Sequence, residues 1–126
     1  MKIELDLLDS SIYTIKSYSN SGVFIKNTLY ETNIIVSPKI IVEDWGPSNI
    51  NNLDQDHLTD IFNTKPELVL IGTGSKLSFP HNKILDAILL KNIGVEVMDT
   101  GAACRAYNFI AGEGRIVTAA LFHPGI

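Results

Sequence analysis

The chain has 126 residues, the size of one domain, and its 10 basic and 14 acidic side chains give a net charge of −4 with histidine neutral. This mild acidity argues against a nucleic-acid-binding protein, which needs Lys and Arg clustered on one face. No stretch reaches the roughly twenty apolar residues that a membrane-spanning helix needs. The single cysteine, Cys104, cannot form an internal disulfide. The N-terminus resembles neither a signal peptide nor a transit peptide, so we expect a cytoplasmic protein.

The first third of the chain, residues 1–45, predicts a β-rich, antiparallel meander, because short apolar runs alternate with polar residues and turn signals. Asparagine tolerates the positive φ of hairpin turns, which makes Lys26-Asn27 a candidate tight turn. The predicted parts are, in order, a half-buried strand over Ile3, Leu5 and Leu7, a polar turn from Ser17 to Gly22, a strand over Val23-Phe24-Ile25, the Lys26-Asn27 turn, a strand from Leu29 to Val36, and a last short strand over Ile40-Ile41-Val42.

Residues 46–66 predict a connector with one short helix. Leu58, Ile61 and Phe62 share a face at helical spacing, which indicates a helix from Leu53 to Phe62. Trp45, just before this segment, has two interpretations. It either packs in the core with its N–H satisfied or offers a stacking surface for a ligand.

Residues 67–126 predict a strand-helix-strand-helix-strand unit. The elements are an apolar strand over Leu68 to Ile71, a helix from Pro80 to Asn92, a strand from Val95 to Met98, a helix after Thr100 that ends at Gly112 to Gly114, and a last strand from Arg115 to Phe122. A strand-helix-strand crossover makes its two strands parallel. We therefore predict a single α/β domain with a compact three-layer fold and a mixed central sheet, which the N-terminal hairpins extend or cover. The direction of the last strand is left open by its periodicity.

Two segments are expected at the carboxyl ends of the parallel strands, where α/β proteins bind ligands. They are the loop Gly72-Thr73-Gly74 and the helix entry at Thr100-Gly101, which Asp99 precedes. Both can present backbone N–H groups to an anion, and Arg105 can add a guanidinium. The alternative is that the glycines only permit a tight turn and that Arg105 pairs with Asp99 or Glu113.

The helix after Thr100 also contains side chains that catalysis can use. Cys104 is either a nucleophile near a helix start or a small buried residue, and Asp99 is either a general base or a helix cap. Tyr107 is predicted in the core, and Asn108 is predicted to hydrogen-bond to a loop backbone. Three histidines and one cysteine show no metal-ligand spacing, so neither a metal nor a cofactor is expected.

The same helix carries a family resemblance. Met98-Asp99-Thr100, Ala103-Cys104-Arg105, Tyr107-Asn108, Glu113-Gly114-Arg115 and the upstream Gly72-Thr73-Gly74 resemble the signature of a family of small single-domain proteins of unknown function. Mitochondrial members of that family act as assembly factors for respiratory complex I. The similarity runs from about Leu68 to Leu121 and departs from the usual pattern at Ala106, where the family has threonine. The resemblance implies a compact three-layer α/β fold and a role in respiratory complex assembly.

These observations lead to two functional hypotheses. The first is a non-enzymatic protein-interaction module that contacts another protein, for example a component of a respiratory complex. The second is a small-anion-binding protein, or an enzyme of unrecognised type, that uses Gly72, Thr73, Gly74, Asp99, Thr100 and Arg105. An exposed edge strand in the N-terminal meander would also allow a homodimer.

Overall fold

A computed structural model describes residues 11–126, and the strand predicted over residues 3–7 lies outside this range. The elements in chain order are β1 Ile15–Ser19, β2 Gly22–Ile25, β3 Thr28–Tyr30, β4 Ile34–Val36, β5 Ile41–Val42, two short 3-10 helices at Ile50–Asn52 and Gln55–His57, α1 Leu58–Asn63, β6 Leu68–Gly72, α2 Asn82–Leu89, β7 Gly94–Met98, α3 Thr100–Gly112 and β8 Val117–Leu121. The predicted α/β class with a mixed sheet is confirmed.

A five-stranded mixed sheet forms the middle of the molecule, with strand order β5-β4-β8-β6-β7. The last strand of the chain, β8, lies at its centre, parallel to β6 and antiparallel to β4. All five residues of β8 are buried, as expected for a strand that is covered on both faces. The direction of this strand, which its sequence left open, is therefore parallel to β6 and β7.

A second, three-stranded antiparallel sheet consists of β1, β2 and β3. The predicted tight turn at Lys26-Asn27 joins β2 and β3, but the positive φ, 54°, belongs to Lys26 and not to the asparagine from which the turn was predicted. The predicted turn from Ser17 to Gly22 was too long, since β1 continues to Ser19. The single strand predicted from Leu29 to Val36 was wrong, because β3 and β4 belong to different sheets. Between them the Asn33 amide donates to Pro47 O at 2.8 Å and accepts the His123 N–H at 2.8 Å, which fixes the crossing of the chain between the two sheets.

The sheet separates two apolar cores, which gives three layers. One face packs against α3 and the three-stranded sheet. The other face packs against the 3-10 helices, α1, α2 and Trp45. Trp45 is only 3% exposed, its Nε1–H donates to His57 O at 2.9 Å, and its ring meets Phe122 edge-on. Trp45 is thus a core residue rather than a ligand-stacking surface.

The helices of this second core are shorter than predicted. The segment from Leu53 to Phe62 is not one helix, because only Leu58–Asn63 is α-helical. The helix predicted from Pro80 to Asn92 is α2, Asn82–Leu89, whose N-cap His81 accepts the Lys83 N–H through Nδ1. Pro80 therefore lies before the cap rather than in the first turn.

Candidate functional site

Thr100 ties together three segments at the carboxyl end of the central sheet. Its side chain is fully buried, and its hydroxyl donates to Phe122 O at 2.7 Å while it accepts the Gly74 N–H at 2.8 Å. Its own N–H donates to Gly74 O at 2.9 Å. The start of α3, the loop after β6 and the end of β8 are therefore held by one side chain and its backbone.

The Gly72-Thr73-Gly74 loop is shaped by packing. A Cβ on Gly72 would lie 3.0 Å from the Thr100 Cα, and Gly74 has φ of +101°, a conformation that favours glycine. Thr73 donates its N–H to Met98 O at 2.9 Å and its hydroxyl to Lys76 O at 2.5 Å. Each residue of the loop thus has a structural reason for its identity.

This geometry bears on the anion-binding hypothesis. The N–H groups of Thr73, Gly74 and Thr100 are already hydrogen-bonded within the protein. The Asp99 carboxylate accepts the Ala102 N–H at 2.8 Å, so it caps α3 as one of its two interpretations predicts. An anion at this place would not find these three N–H groups free, and the hypothesis stays a prediction.

Arg105 contacts a residue that the sequence did not single out. Its guanidinium donates to the Tyr18 hydroxyl and lies 5.9 Å from the centre of the Tyr18 ring. Gly101 permits this approach, because a Cβ there would lie 2.8 Å from the Tyr18 ring. The predicted pairing of Arg105 with Asp99 or Glu113 is not what the structure shows.

Tyr107 and Asn108 attach β1 and the residues before it to α3. The buried Tyr107 hydroxyl donates to Tyr13 O at 2.7 Å. The Asn108 amide accepts the Ile15 N–H and donates to Ile15 O, both at 2.7 Å, so it pairs with the strand as another strand would. Tyr13 and Ile15 were missed as partners because contacts across more than ninety residues of chain leave no periodicity.

Cys104 lies in the core, 1% exposed, between α3 and the sheet. Burial raises the pKa of its thiol to about 12, with a small opposing effect from the neighbouring Arg105 guanidinium. Burial also raises the pKa of Tyr107. The thiolate is the reactive form, so this shift disfavours a nucleophilic role at neutral pH, and the burial of Cys104 agrees with the small-buried-residue interpretation.

The remaining motif residues lie at the ends of α3. Met98 packs against the core from the end of β7. Glu113 is the C-cap residue, and its N–H donates to Ile110 O at 3.1 Å. Arg115 Nε lies 3.6 Å from Glu67 Oε1, with both side chains more than half exposed, so this pair contributes only about 0–1 kcal/mol.

One face of α3 remains uncovered. Phe109 is 69% exposed, Arg105 one turn before it is exposed, and Ala102 and Ala106 are half-buried beside them. Tyr18, 37% exposed, continues this face through its contact with Arg105. We call these five residues the α3 surface. The α3 surface thus presents two exposed aromatic rings, Phe109 and Tyr18, beside the Arg105 guanidinium.

No group of three or more His, Cys, Asp or Glu side chains in residues 11–126 is arranged to hold a metal ion. In the same part of the chain no helix has the length and apolarity to cross a bilayer.

Comparison with known proteins gives two informative relatives. The mouse protein named NADH dehydrogenase [ubiquinone] 1 alpha subcomplex assembly factor 3 is 32% identical over 112 residues, which cover 87% of this chain and 60% of the mouse protein. This chain thus spans about 60% of the length of that assembly factor. The 13 kDa major membrane protein of Francisella tularensis is 27% identical over 94% of this chain and 96% of its own.

Solved structures share the fold. The crystal structure of a Bordetella parapertussis protein superposes with a TM-score of 0.83 at 27% identity, over 90% of this chain and 97% of that one. A protein described as an outer membrane protein from Bartonella henselae superposes with a TM-score of 0.77 at 28% identity, over 90% and 96%. A family model described as protein of unknown function (DUF498/DUF598) matches residues 15–122. This chain belongs to that family, as its resemblance implied.

Proposed function

We propose that this protein is a non-enzymatic interaction module that contacts a protein partner, with a role related to the assembly of a respiratory complex. Six vertebrate relatives and one insect relative are named assembly factor 3 of the NADH dehydrogenase 1 alpha subcomplex. They match most of this chain, although the chain spans only part of their length. The cytoplasmic location expected from the sequence stays a prediction.

The observation that carries the proposal is the α3 surface. Exposed aromatic side chains and arginine are the residue types that most often anchor protein interfaces. Phe109 is 69% exposed near the C-terminal end of α3, so packing in the core does not explain a large aromatic side chain at this position. Arg105 is already positioned by Tyr18, so little side-chain entropy would be lost when a partner binds it.

The structural roles of the side chains that resemble the family signature support the same proposal. Asp99 caps a helix, Thr100 joins three segments, and Asn108 binds a strand. Cys104 and Tyr107 are buried in the core. Residues that a catalytic interpretation would use are thus engaged in holding the fold.

The test is affinity capture of the tagged protein from its own cells, with Phe109→Glu compared with the matched control Leu90→Glu. Leu90 is 84% exposed and follows α2, on the opposite face of the sheet. We expect a defined partner, such as a respiratory-complex subunit, to be recovered with the wild type and with Leu90→Glu but lost with Phe109→Glu. Melting temperatures should be equal, because both positions are exposed.

Two outcomes would contradict the proposal. Equal recovery with both variants would remove the α3 surface as the contact. Recovery of nothing specific, together with a melting shift caused by a small anion and abolished by Arg105→Ala, would favour the anion-binding hypothesis. A homodimer through the exposed edge strand β3 stays a separate prediction, to be checked by sedimentation of the wild type.

A further inference from the structure

A second exposed apolar feature lies at the carboxyl end of the sheet, in residues 75–83, which run from the loop after β6 into the first turn of α2. Leu77 is 55% exposed and Phe79 is 63% exposed, whereas Ser78 between them is half-buried and Pro80 after them is buried. The two large apolar side chains therefore point outward from an extended stretch whose intervening residues face the protein. We call residues 75–83 the apolar loop.

The apolar loop is held by hydrogen bonds that do not involve its two apolar side chains. The Thr73 hydroxyl donates to Lys76 O and accepts the Ser78 N–H at 3.2 Å. Ser75 donates both its N–H and its hydroxyl to Ile126 O, at 2.9 and 2.6 Å. Leu77 and Phe79 are thus presented on a fixed base, and the fold does not need their side chains.

The charge of this region differs from that of the whole chain. From Thr73 to Leu85 the sequence contains Lys76, His81 and Lys83 but no acidic residue, although the chain as a whole has a net charge of −4. Within the described residues, neither lysine has an ion-pair or hydrogen-bond partner for its ammonium group. Two acids border this stretch: Asp99, whose carboxylate caps α3, and the exposed Asp86, which lies one turn after Lys83 on α2. Among residues 11–126, the loop thus combines two apolar side chains with two cations that no carboxylate pairs.

We propose that the apolar loop docks reversibly on the surface of an anionic lipid bilayer. Leu77 and Phe79 would enter the boundary between headgroups and acyl chains, and Lys76 and Lys83 would contact the anionic headgroups. A bilayer accepts a small convex protrusion because it is fluid. A protein partner would need to bury about 800 Å² on each side, which two protruding side chains do not provide.

This inference goes beyond the proposed protein contact, since it concerns another surface. The apolar loop follows β6 at the carboxyl end of the sheet, whereas Phe109 lies in the last turns of α3. Docking through the loop would leave the α3 surface free for a partner. The two proposals therefore succeed or fail independently.

The test is co-sedimentation with vesicles of phosphatidylglycerol and phosphatidylcholine in equal parts, at low salt. We expect the wild type to bind these vesicles, and to bind less at high salt or when phosphatidylcholine is the only lipid. Leu77→Ser combined with Phe79→Ser should weaken binding at least about tenfold, because most of the inserted apolar area is lost. Lys76→Gln and Lys83→Gln should each weaken it about fivefold.

The control variant is Leu90→Ser, which removes an apolar side chain that is 84% exposed just past the end of α2. It should bind vesicles as the wild type does. The proposal is overturned if the wild type does not bind anionic vesicles, or if Leu90→Ser weakens binding as much as the double variant. It is also overturned if the double variant loses a captured protein but keeps vesicle binding, since the loop would then be a protein contact.

A fluorescence measurement locates the inserted residue. The chain has one tryptophan, Trp45, which is 3% exposed and hydrogen-bonded, so its emission should not respond to lipid. Phe79→Trp adds a reporter in the loop, and anionic vesicles should shift its emission to shorter wavelength. An unchanged spectrum for Phe79→Trp, beside an equally unchanged one for Leu90→Trp, would contradict insertion of the loop.

Discussion

The two faces of the five-stranded sheet are covered by different means. On one face α1, α2 and Trp45 pack on the sheet chiefly through apolar side chains such as Ile61, Ile84 and Ile88. On the other face α3 also packs on the sheet, but it joins the three-stranded sheet through polar groups of Arg105, Tyr107 and Asn108. The difference indicates that apolar burial supplies stability on both faces, whereas the position of the small sheet is set by directional hydrogen bonds.

Most of the residues of this chain that resemble the family signature lie on the second of these faces. Many apolar residues can fill a core at nearly equal free energy, but few side chains can bind a strand backbone as Asn108 does. The same holds at Thr100, whose hydroxyl serves as donor and acceptor at once. In this chain, Thr100 and Asn108 thus connect separate segments of the fold through hydrogen bonds.

The largest loss of stability is expected on the face of the sheet that packs against α1, α2 and Trp45. Ile88→Ala should lower the free energy of unfolding by about 2–5 kcal/mol, because it removes a fully buried side chain and leaves a cavity. The adjacent Leu89, 53% exposed, gives the matched control, and Leu89→Ala should cost less than about 1 kcal/mol. Urea denaturation measures both values. Equal losses would show that this face is not packed as described.

The next largest loss of stability is expected at Thr100, which joins the start of α3, the loop after β6 and the end of β8. Thr100→Val keeps the side-chain volume but leaves the Gly74 N–H and Phe122 O without their partner. Each buried unpaired group costs about 1–3 kcal/mol, so we expect a loss of about 2–4 kcal/mol. The exposed Thr28→Val should change little. A neutral Thr100→Val would mean that the hydroxyl is dispensable there.

A smaller and more local effect is expected from Asn108. Asn108→Ala removes two hydrogen bonds to Ile15 and should cost about 1–3 kcal/mol. Amide hydrogen exchange should accelerate in β1 and β2 and stay unchanged in β6. Asn63→Ala, at an exposed position at the end of α1, is the control. If amide exchange accelerated equally in all strands, the contact between Asn108 and β1 would not be a local one.

The smallest effect at neutral pH concerns Cys104. Burial raises the pKa of the folded thiol from an ordinary value of 9.0 to about 12, so the unfolded chain loses this proton first. Stability should therefore be complete below about pH 9 and fall as pH rises toward 12, by up to about 1.4 kcal/mol per pH unit. Tyr107 acts in the same direction. The slope of stability against pH should be shallower in Cys104→Ala, and an unchanged slope would contradict the assignment.

The sequence predicted the fold class, the apolar strand β6, the hairpin turn at Lys26, and the helix start at Asp99. These features depend on neighbouring residues, since periodicity, capping and turn chemistry are local. The sequence also predicted two features of the candidate residues, the core position of Tyr107 and a hydrogen bond from Asn108 to a backbone. Which backbone Asn108 binds was beyond local patterns.

By itself, the sequence determined a layered α/β chain whose helix after Thr100 carries the family resemblance, with one cysteine that cannot form an internal disulfide. Tertiary structure alone decided that β3 and β4 separate into two sheets, that β8 runs parallel to β6 at the centre, and that Arg105 turns to Tyr18. Each of these depends on contacts between residues far apart in the chain, such as the 87 positions that separate Tyr18 from Arg105. Such contacts arise only when the layers close and buried polar groups must find partners, which is why no local pattern specifies them.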